Sequence, residues 1–281
     1  MQSENPIQIV VVKWGEKYNC DIVNRLYSAI LQYSSRPVQF ICVTDSKGEV
    51  FNPGIVKRDF PSFSVDFESL KFGCKPKLGV FASGLLNSAL PTILLDLDTV
   101  IIGDVARIVD ELDNNRGMFM LPNHYLQWWK LPKFIKDIIP NSYYFGSSAI
   151  CAFYPCDYGN LFDAFNIEVI NNKGQKYLTA DDRFISYYAS DSIRVFSNRA
   201  AVKFANEYMA YWLFWEDIRK RLPWIKRRRA GIVAVTFRGE QLKPEKIRDF
   251  RNGDIIRHKH LVVRWDFDEI TNFYQIPLSP S

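Results

Sequence analysis

The residues that most clearly call for chemistry are Asp96 and Asp98, separated by one residue in the apolar run ILLDLDTVII. Strand periodicity places both carboxylates on the same side, two residue rises apart. Adjacent like charges in an apolar surround are costly unless a cation or hydrogen-bond donors compensate them. A divalent ion with oxygen ligands does this well, especially when phosphate oxygens complete its shell. The alternative is a turn in which both carboxylates accept backbone N–H groups. A metal held here against two phosphates would stabilise the charge that develops on a departing diphosphate, and Mg2+ and Mn2+ both suit such a site.

Other polar groups fall where they could serve the same chemistry. Lys13, Trp14, Gly15 and Tyr18 follow the first apolar run; a ring there can stack on a nucleobase and Gly15 lets a ligand approach the backbone, although an ordinary βα loop has the same composition. Asp45 ends the second run and suits a base or ribose hydrogen bond, or the capping of a turn. Lys77 stands near the start of a helical pattern and can pair with a phosphate. Gly146-Ser147-Ser148 precedes a strand pattern and offers hydroxyls to a sugar, or simply a tight turn. Asp181 and Asp182 open a helix; N-terminal capping accounts for one and leaves the other as a sugar contact or base. Lys243, after Gly239, reaches toward a diphosphate. His124, His258 and His260 lack a metal-ligand spacing and read as structural or surface residues.

These groups need a scaffold, and the hydrophobic pattern supplies one. Ile7–Trp14 is a nearly continuous apolar run that suits a strand covered on both faces. Asp21 can cap a helix whose apolar positions are Ile22, Val23, Leu26, Ile30 and Leu31. Val38–Thr44 reads as the next buried strand, giving a β-α-β opening and hence a parallel or mixed sheet with helices on its faces. Lys47–Lys71 has no steady period and reads as loop with short irregular elements. Lys77–Leu90 reads as a helix stopped by Pro91. Thr92–Leu97, Met118–Leu121, Ser148–Tyr154 and Gly231–Phe237 read as strands, with a Trp-rich excursion, YLQWWKLPKF, between the second and third of these. In an open α/β sheet the carboxyl ends of the strands form the ligand crevice, which is where Lys13–Tyr18, Asp45 and Asp96–Asp98 fall.

With 281 residues and 47% hydrophobic content, the chain is long enough for one large core. The net charge of +5 suits a polyanionic ligand or an acidic membrane surface without choosing between them. The dense basic run Arg219–Arg229 (RKRLPWIKRRR) reads either as a solvated face or as a patch for anionic lipid heads or an anionic acceptor. No zinc-finger spacing or RNA-binding aromatic motif accompanies it, so no nucleic-acid partner is expected. Cys42 and Cys151 lie in apolar runs and read as buried thiols, and five scattered Cys without a CxxC pair or regular spacing fit a reducing compartment. The opening apolar run is too short for a signal peptide and no run is long enough to cross a bilayer. The expectation is therefore a cytoplasmic protein whose membrane contact, if any, is peripheral.

Taken together, VKWGEKYNCDIVNRLYSAI, FICVTD, KPKLGVF, ILLDLDTVIIGDV, FGSSAICAF, TADDRFIS and VAVTFRGEQLKP resemble a family of bacterial glycosyltransferases related to the glycogenin and galactosyltransferase group, glycosyltransferase family 8 and its neighbours. The resemblance covers most of the chain, in the family's order. It implies a GT-A type nucleotide-diphospho-sugar transferase fold: one α/β domain over 1–281, with a single mixed β-sheet flanked by helices and a basic segment around 219–229. By the same resemblance Lys13–Tyr18 and Asp45 touch the nucleoside, and Lys77 lies near the donor. Asp96 and Asp98 form the metal-binding DxD, while Ser147, Ser148 and Asp182 face donor sugar and acceptor. Lys243 contacts the diphosphate.

The chain departs from the pattern at its last segment. The related enzymes carry a histidine near the late glycine as a further metal ligand, whereas here the order is Thr236, Phe237, Arg238, Gly239, with one extra residue before Lys243. Guanidinium has no lone pair for a metal, so Arg238 would neutralise the diphosphate directly. The expected activity is metal-assisted transfer of a sugar, from UDP-sugar by resemblance, to a hydroxyl acceptor in polysaccharide or glycoconjugate assembly, with retention of configuration. The competing readings are a sugar-phosphate nucleotidyltransferase, for which VVVKWGEKYN is poor in glycine, and a nucleotide-sugar-binding protein without turnover.

Overall fold

The computed structural model describes residues 5–114, 116–122, 132, 134, 138, 145–197 and 199–276; His124 and the stretch 125–131 of the Trp-rich excursion lie outside them. The main sheet has seven strands. They are β1 (Ile7–Lys13), β2 (Val38–Thr44), β3 (Ile55–Arg58), β4 (Thr92–Leu95), β6 (Met118–Pro122), β7 (Gly146–Phe153) and β8 (Ile193–Val195). Their order across the sheet is β3-β2-β1-β4-β7-β6-β8. The pairs β1–β2, β1–β4, β2–β3 and β6–β8 are parallel, whereas β7 runs antiparallel to both β4 and β6. A second sheet of three strands joins β5 (Thr99–Ile101), β10 (Ala234–Thr236) and β9 (Ala201–Lys203), and β11 (Ile255–His258) pairs with β12 (Leu261–Arg264).

β1 has helices and loops on both faces, as its continuous apolar run requires. Ile7, Ile9 and Val11 pack into one buried cluster with Val23, Leu26 and Ile30 of the helix Cys20–Tyr33. Val10 and Val12 join a second cluster with Leu78, Val80, Phe165 and Phe184 on the opposite face. Each such fully buried side chain contributes about 1.5–3 kcal/mol from burial. The polar interruption, Gln8, is satisfied inside: its Nε2 donates to Thr92 Oγ1 at 2.8 Å and its Oε1 accepts the Asn87 N–H at 3.0 Å.

Several elements differ from their sequence reading for physical reasons. Asn19, not Asp21, occupies the N-cap of the first helix; Asp21 sits in its first turn, and Leu31 is solvent-exposed. The stretch 47–71 contains β3, an edge strand whose only buried residue is Ile55. Lys77–Leu90 is not a helix. The chain makes 3₁₀ turns from Phe72 to Phe81, interrupted at Gly73 (φ 77°) and Cys74 (φ 60°), and continues as turns to β4. Gly146, Ser147 and Ser148 lie within β7 rather than before it. The late strand is shorter than its apolar run, covering Ala234–Thr236.

Candidate active site

Strands β1, β2 and β4 end at the same edge of the sheet. After β1 the chain departs toward β2 on one side, and β4 lies on the other, so β1 and β4 flank a topological switch point, where open α/β sheets bind ligands. Asp96 and Asp98 lie just beyond β4, in the turn into β5, and not in the strand itself. Backbone bonds fix this turn: Asp96 N–H donates to Ala149 O (2.8 Å), Thr99 N–H to Asp96 O (3.1 Å) and Phe237 N–H to Asp98 O (3.0 Å). The main sheet and the small sheet thus clamp it from two sides.

The two carboxylates enter different pairs. Lys77 Nζ lies 2.5 Å from Asp96 Oδ1 and 3.3 Å from Asp181 Oδ2. Ser148 Oγ donates to Asp181 Oδ2 at 2.5 Å. Lys243 Nζ donates to Asp98 Oδ2 at 3.0 Å and to Tyr18 Oη at 3.1 Å, and Thr236 Oγ1 sits 3.5 Å from Asp98 Oδ1. Residues from the loop after β1, the 3₁₀ segment, the β4–β5 turn, β7, the helix Asp181–Tyr188 and the late segment therefore meet at one place.

Gly73 makes this convergence possible. A Cβ there would fall 1.9 Å from the Thr179 carbonyl oxygen, and its φ of 77° disfavours any other residue. Its bare backbone lets the Lys77 segment lie against Thr179–Ala180, the two residues before Asp181. Ala180 occupies the N-cap of that helix and no side chain caps it. Asp181 is therefore not a cap; it is buried in the Lys77–Ser148 cluster. Asp182, the sequence candidate, is partly exposed beside it and adds negative potential at Lys203.

Electrostatics follow from this packing. Burial, opposed by Lys77 and reinforced by Asp98, pushes Asp96 up to about 7. Burial works against the Lys77 ammonium, but Asp181 and Asp96 outweigh it and hold the group well above the usual lysine range. Lys243 is likewise raised, burial being outweighed by Asp98 and Tyr18. Burial and the Asp98 charge push the Tyr18 phenol up to about 12, so it stays neutral. Asp96 and Asp98 present an oxygen-only donor pair that fits a hard divalent cation, with burial leaving Asp96 under-compensated. Among the described residues no cluster of three or more His, Cys, Asp or Glu side chains is placed to hold a metal; the remaining ligands would have to be phosphate and water.

The other candidates sit around this centre. Lys13 is buried and bound to Glu49 at 2.6 Å, with a weaker contact to Gly15 O at 3.3 Å. Asp45 takes the Gly15 N–H with both oxygens at 3.2 Å, tying the ends of β1 and β2 together. Trp14 packs partly buried against the second cluster and Ser147 is buried. Gly239 (φ 94°) accepts the His258 ring where a side chain would stand, a Cβ lying only 2.3 Å from Cε1. Arg238 is exposed and lines a cavity of about 500 Å³ that begins at Thr236 and Lys203.

Sequence reasoning named the Asp181–Asp182 pair but carried Asp182 forward, and it missed Thr236, Lys203 and Glu49, whose roles depend on how distant segments come together. The basic run Arg219–Arg229 is also less free than its composition suggests. Arg219 and Arg229 pair with buried Glu216 at 2.9 and 2.7 Å, Arg228 and Arg229 hold Glu207, and Lys220 binds Asp217 and Asp266. Arg221, Lys226 and Arg227 are exposed. All five cysteines are free, with Cys42 and Cys151 buried. Among the described residues no helix is long and apolar enough to cross a membrane.

No protein-family model and no curated protein matches the sequence. Solved structures do match the fold. The bifunctional glycosyltransferase WbbM in its apo form aligns with 88% of this chain at 13% identity and TM-score 0.56; the match takes in 48% of WbbM, so the chain spans about half of that protein's length. The galactosyltransferase LgtC, solved with donor and acceptor sugar analogues, aligns over 85% of this chain and 89% of its own at 13% identity and TM-score 0.55. The apo glycosyltransferase GlyE of Streptococcus pneumoniae TIGR4 aligns over 85% of this chain and 56% of its own, at 8% identity and TM-score 0.51. At these identities the likeness is one of architecture, and the chain has a GT-A-like glycosyltransferase fold, a large mixed sheet flanked by helices.

Proposed function

We propose that the chain transfers a sugar from a nucleotide-sugar donor, a UDP-sugar in the first instance, to a hydroxyl acceptor. The observation that carries this reading is the paired-carboxylate turn at the switch point of a GT-A-like sheet, each carboxylate facing a lysine from another segment. Asp96 and Asp98 would hold Mn2+ or Mg2+. When bound, that ion supplies Lewis-acid stabilisation of the diphosphate leaving group.

The protein's own groups divide the remaining work. Lys243 already points at Asp98 and carries a charge able to meet diphosphate oxygens, and exposed Arg238 adds a second cation on that side. Trp14, Gly15, Tyr18 and Asp45 stand at the β1–β2 edge, toward the nucleoside. Lys77 balances Asp96 and Asp181 and fixes the donor side of the turn. Ser147, Ser148 and Asp182 face the sugar side, with Asp181 orienting Ser148 through its short hydrogen bond. Retention of configuration is the course implied by the family resemblance. In that course the acceptor attacks from the face of the departing diphosphate and a phosphate oxygen takes its proton.

Calorimetric binding of UDP, GDP, CDP and ADP, with Mn2+ and with the metal chelated, tests the donor site. One nucleotide should bind tightly only with metal, and Asp98→Ala should weaken it at least ten-fold. Failure of all four nucleotides under both conditions would remove the transferase reading.

Peripheral contact with an anionic membrane belongs to the same proposal. Phe214 and Ile218 share a helix face at i,i+4, as Trp224 and Arg227 do at i,i+3, and all are exposed, with Arg221 and Lys226 nearby in sequence. Exposed aromatics with cations suit an acidic lipid interface. The protein should sediment with phosphatidylglycerol vesicles and not with phosphatidylcholine ones, and Trp224→Ala with Arg227→Gln should abolish the difference; equal sedimentation with both would refute the contact.

A further inference from the structure

The cavity that opens beside the paired carboxylates carries its own electrostatic message. Its inner end is formed by Thr236, whose hydroxyl lies 3.5 Å from Asp98, and by Lys203, the register partner of Thr236 on the neighbouring strand β9. From there it runs past Arg238 and the β11–β12 turn to Tyr211, Trp212 and Trp215. Its volume, about 500 Å³, is that of a small-ligand site.

Lys203, Arg219, Arg238 and Lys259 line this cavity, and none of its lining residues is a carboxylate. Arg219 is committed to Glu216. Lys203 is different: only 8% of it is exposed, and no carboxylate lies within ion-pairing distance among the described residues. Asp182 and Asp96 act on it only from beyond contact; a buried ammonium with no carboxylate in contact is costly, and a bound anion removes that cost. Its neighbours register the same excess of positive charge. Burial and then Arg238 lower the Lys203 ammonium to about 8. Burial followed by Lys259, Arg238 and His260 lowers His258. One-signed charge in a low-dielectric cleft concentrates the field on an incoming anion.

The outer wall is aromatic and prepared. Trp212 is 69% exposed, and Tyr211 stacks on His260 with ring centroids 5.0 Å apart and planes within 10°. Flat rings at the rim of a polar cleft suit the C–H face of a pyranose.

We propose that this groove is the acceptor subsite and takes an acidic saccharide, one bearing a carboxylate or a phosphate ester. The anionic group meets Lys203, and the sugar ring lies along Trp212 and Trp215. Calling the subsite an acceptor site rests on the transferase reading above; its selectivity for acidic sugars rests on the groove alone.

The test is calorimetric binding of trigalacturonate, glucose 6-phosphate and maltotriose to the full chain at low ionic strength. UDP binding with Mn2+ is measured in parallel. Trigalacturonate or glucose 6-phosphate should bind at least ten-fold tighter than maltotriose, and whichever does so identifies carboxylate or phosphate as the recognised group. Lys203→Met should abolish the preference. Lys259→Asn, which keeps a residue tolerant of the positive φ of 53° at that position, should reduce it several-fold. UDP affinity should be unchanged in both variants. Equal binding of all three saccharides, or a preference that survives both substitutions, would overturn the proposal. So would a Lys203→Met variant that loses UDP binding as well, since Lys203 would then serve the donor. If UDP fails to bind the wild type while the acidic preference and its loss in Lys203→Met persist, the transferase reading falls and the acidic-sugar site stands.

Discussion

Around the β4–β5 turn, negative and positive groups alternate. Asp96 and Asp181 share Lys77, and Asp98 faces Lys243. A few residues away, across the β9–β10 pairing, the groove gathers Lys203, Arg238 and Lys259 with no carboxylate in its wall. The first region is paired group by group before any ligand arrives, with one carboxylate in excess, so its side chains are held in place by one another. The second is left unbalanced and gains from a ligand of opposite charge. The difference separates two ways of preparing a site: fixed geometry where bonds are to change, and stored positive potential where a substrate is to be selected.

The largest effect should come from unbalancing the first region. Lys77→Met keeps the volume of the stem but leaves Asp96 and Asp181 facing each other without their cation. Breaking a buried pair in this way costs about 3–5 kcal/mol, read as a shift in urea-unfolding free energy at pH 7. A loss below about 1 kcal/mol, the range of exposed pairs, would mean that this centre is not held together by its charges.

The second region should respond in the opposite sense. Lys203 has a folded-state value lowered to about 8 by burial and Arg238, against about 10.4 for an unfolded lysine. Below pH 8 both states are protonated and the penalty of the buried charge is fully present. Between the two values the unfolded chain binds more protons, so stability rises with pH. At pH 7 and without added anions, Lys203→Met should therefore be more stable than the wild type, by on the order of 1–3 kcal/mol. That advantage should shrink as pH rises from 8 to about 10.5. Urea unfolding of both proteins across that range checks it; an advantage that stays constant or widens would show that Lys203 has a compensating partner.

How much of this was legible in the sequence follows the same division. β1 and β2 could be read because they are apolar on both faces, and the Asp96–Asp98 turn because two carboxylates interrupt an apolar run. β3 was hidden, since an edge strand burying only Ile55 and ending in exposed Lys57 and Arg58 carries no strong period. The segment Lys77–Leu90 reads as a helix, but Gly84 at 78° interrupts it from within, just as Gly73 and Cys74 at positive φ kink the chain before it. Asp181 and Asp182 could not be ranked without the phase of their helix, which turns Asp181 inward. Lys203 could not be singled out at all: its burial is created by the β9–β10 pairing and by a cavity wall drawn from residues up to 58 positions away. Balanced clusters built on continuous apolar strands announce themselves; an unbalanced one assembled from distant segments does not.

The smallest effect, and the finest discriminator, is salt. The screening length is about 10 Å at 0.1 M and about 3 Å at 1 M, and it acts on charges that water reaches. Lys77 and Asp181 are buried and Asp96 is about three-quarters so, so the stability gap between the wild type and Lys77→Met should move by less than about 0.5 kcal/mol between 0.05 and 1 M NaCl. Arg238 and Lys259 are exposed at the groove, and the affinity for an acidic saccharide should fall several-fold over the same range. Calorimetry and urea unfolding at matched salt concentrations measure the two responses side by side. Equal salt sensitivity in both would mean that water reaches the Lys77 cluster as freely as the groove. In that case the contrast between a closed, balanced centre and an open, unbalanced one would fail.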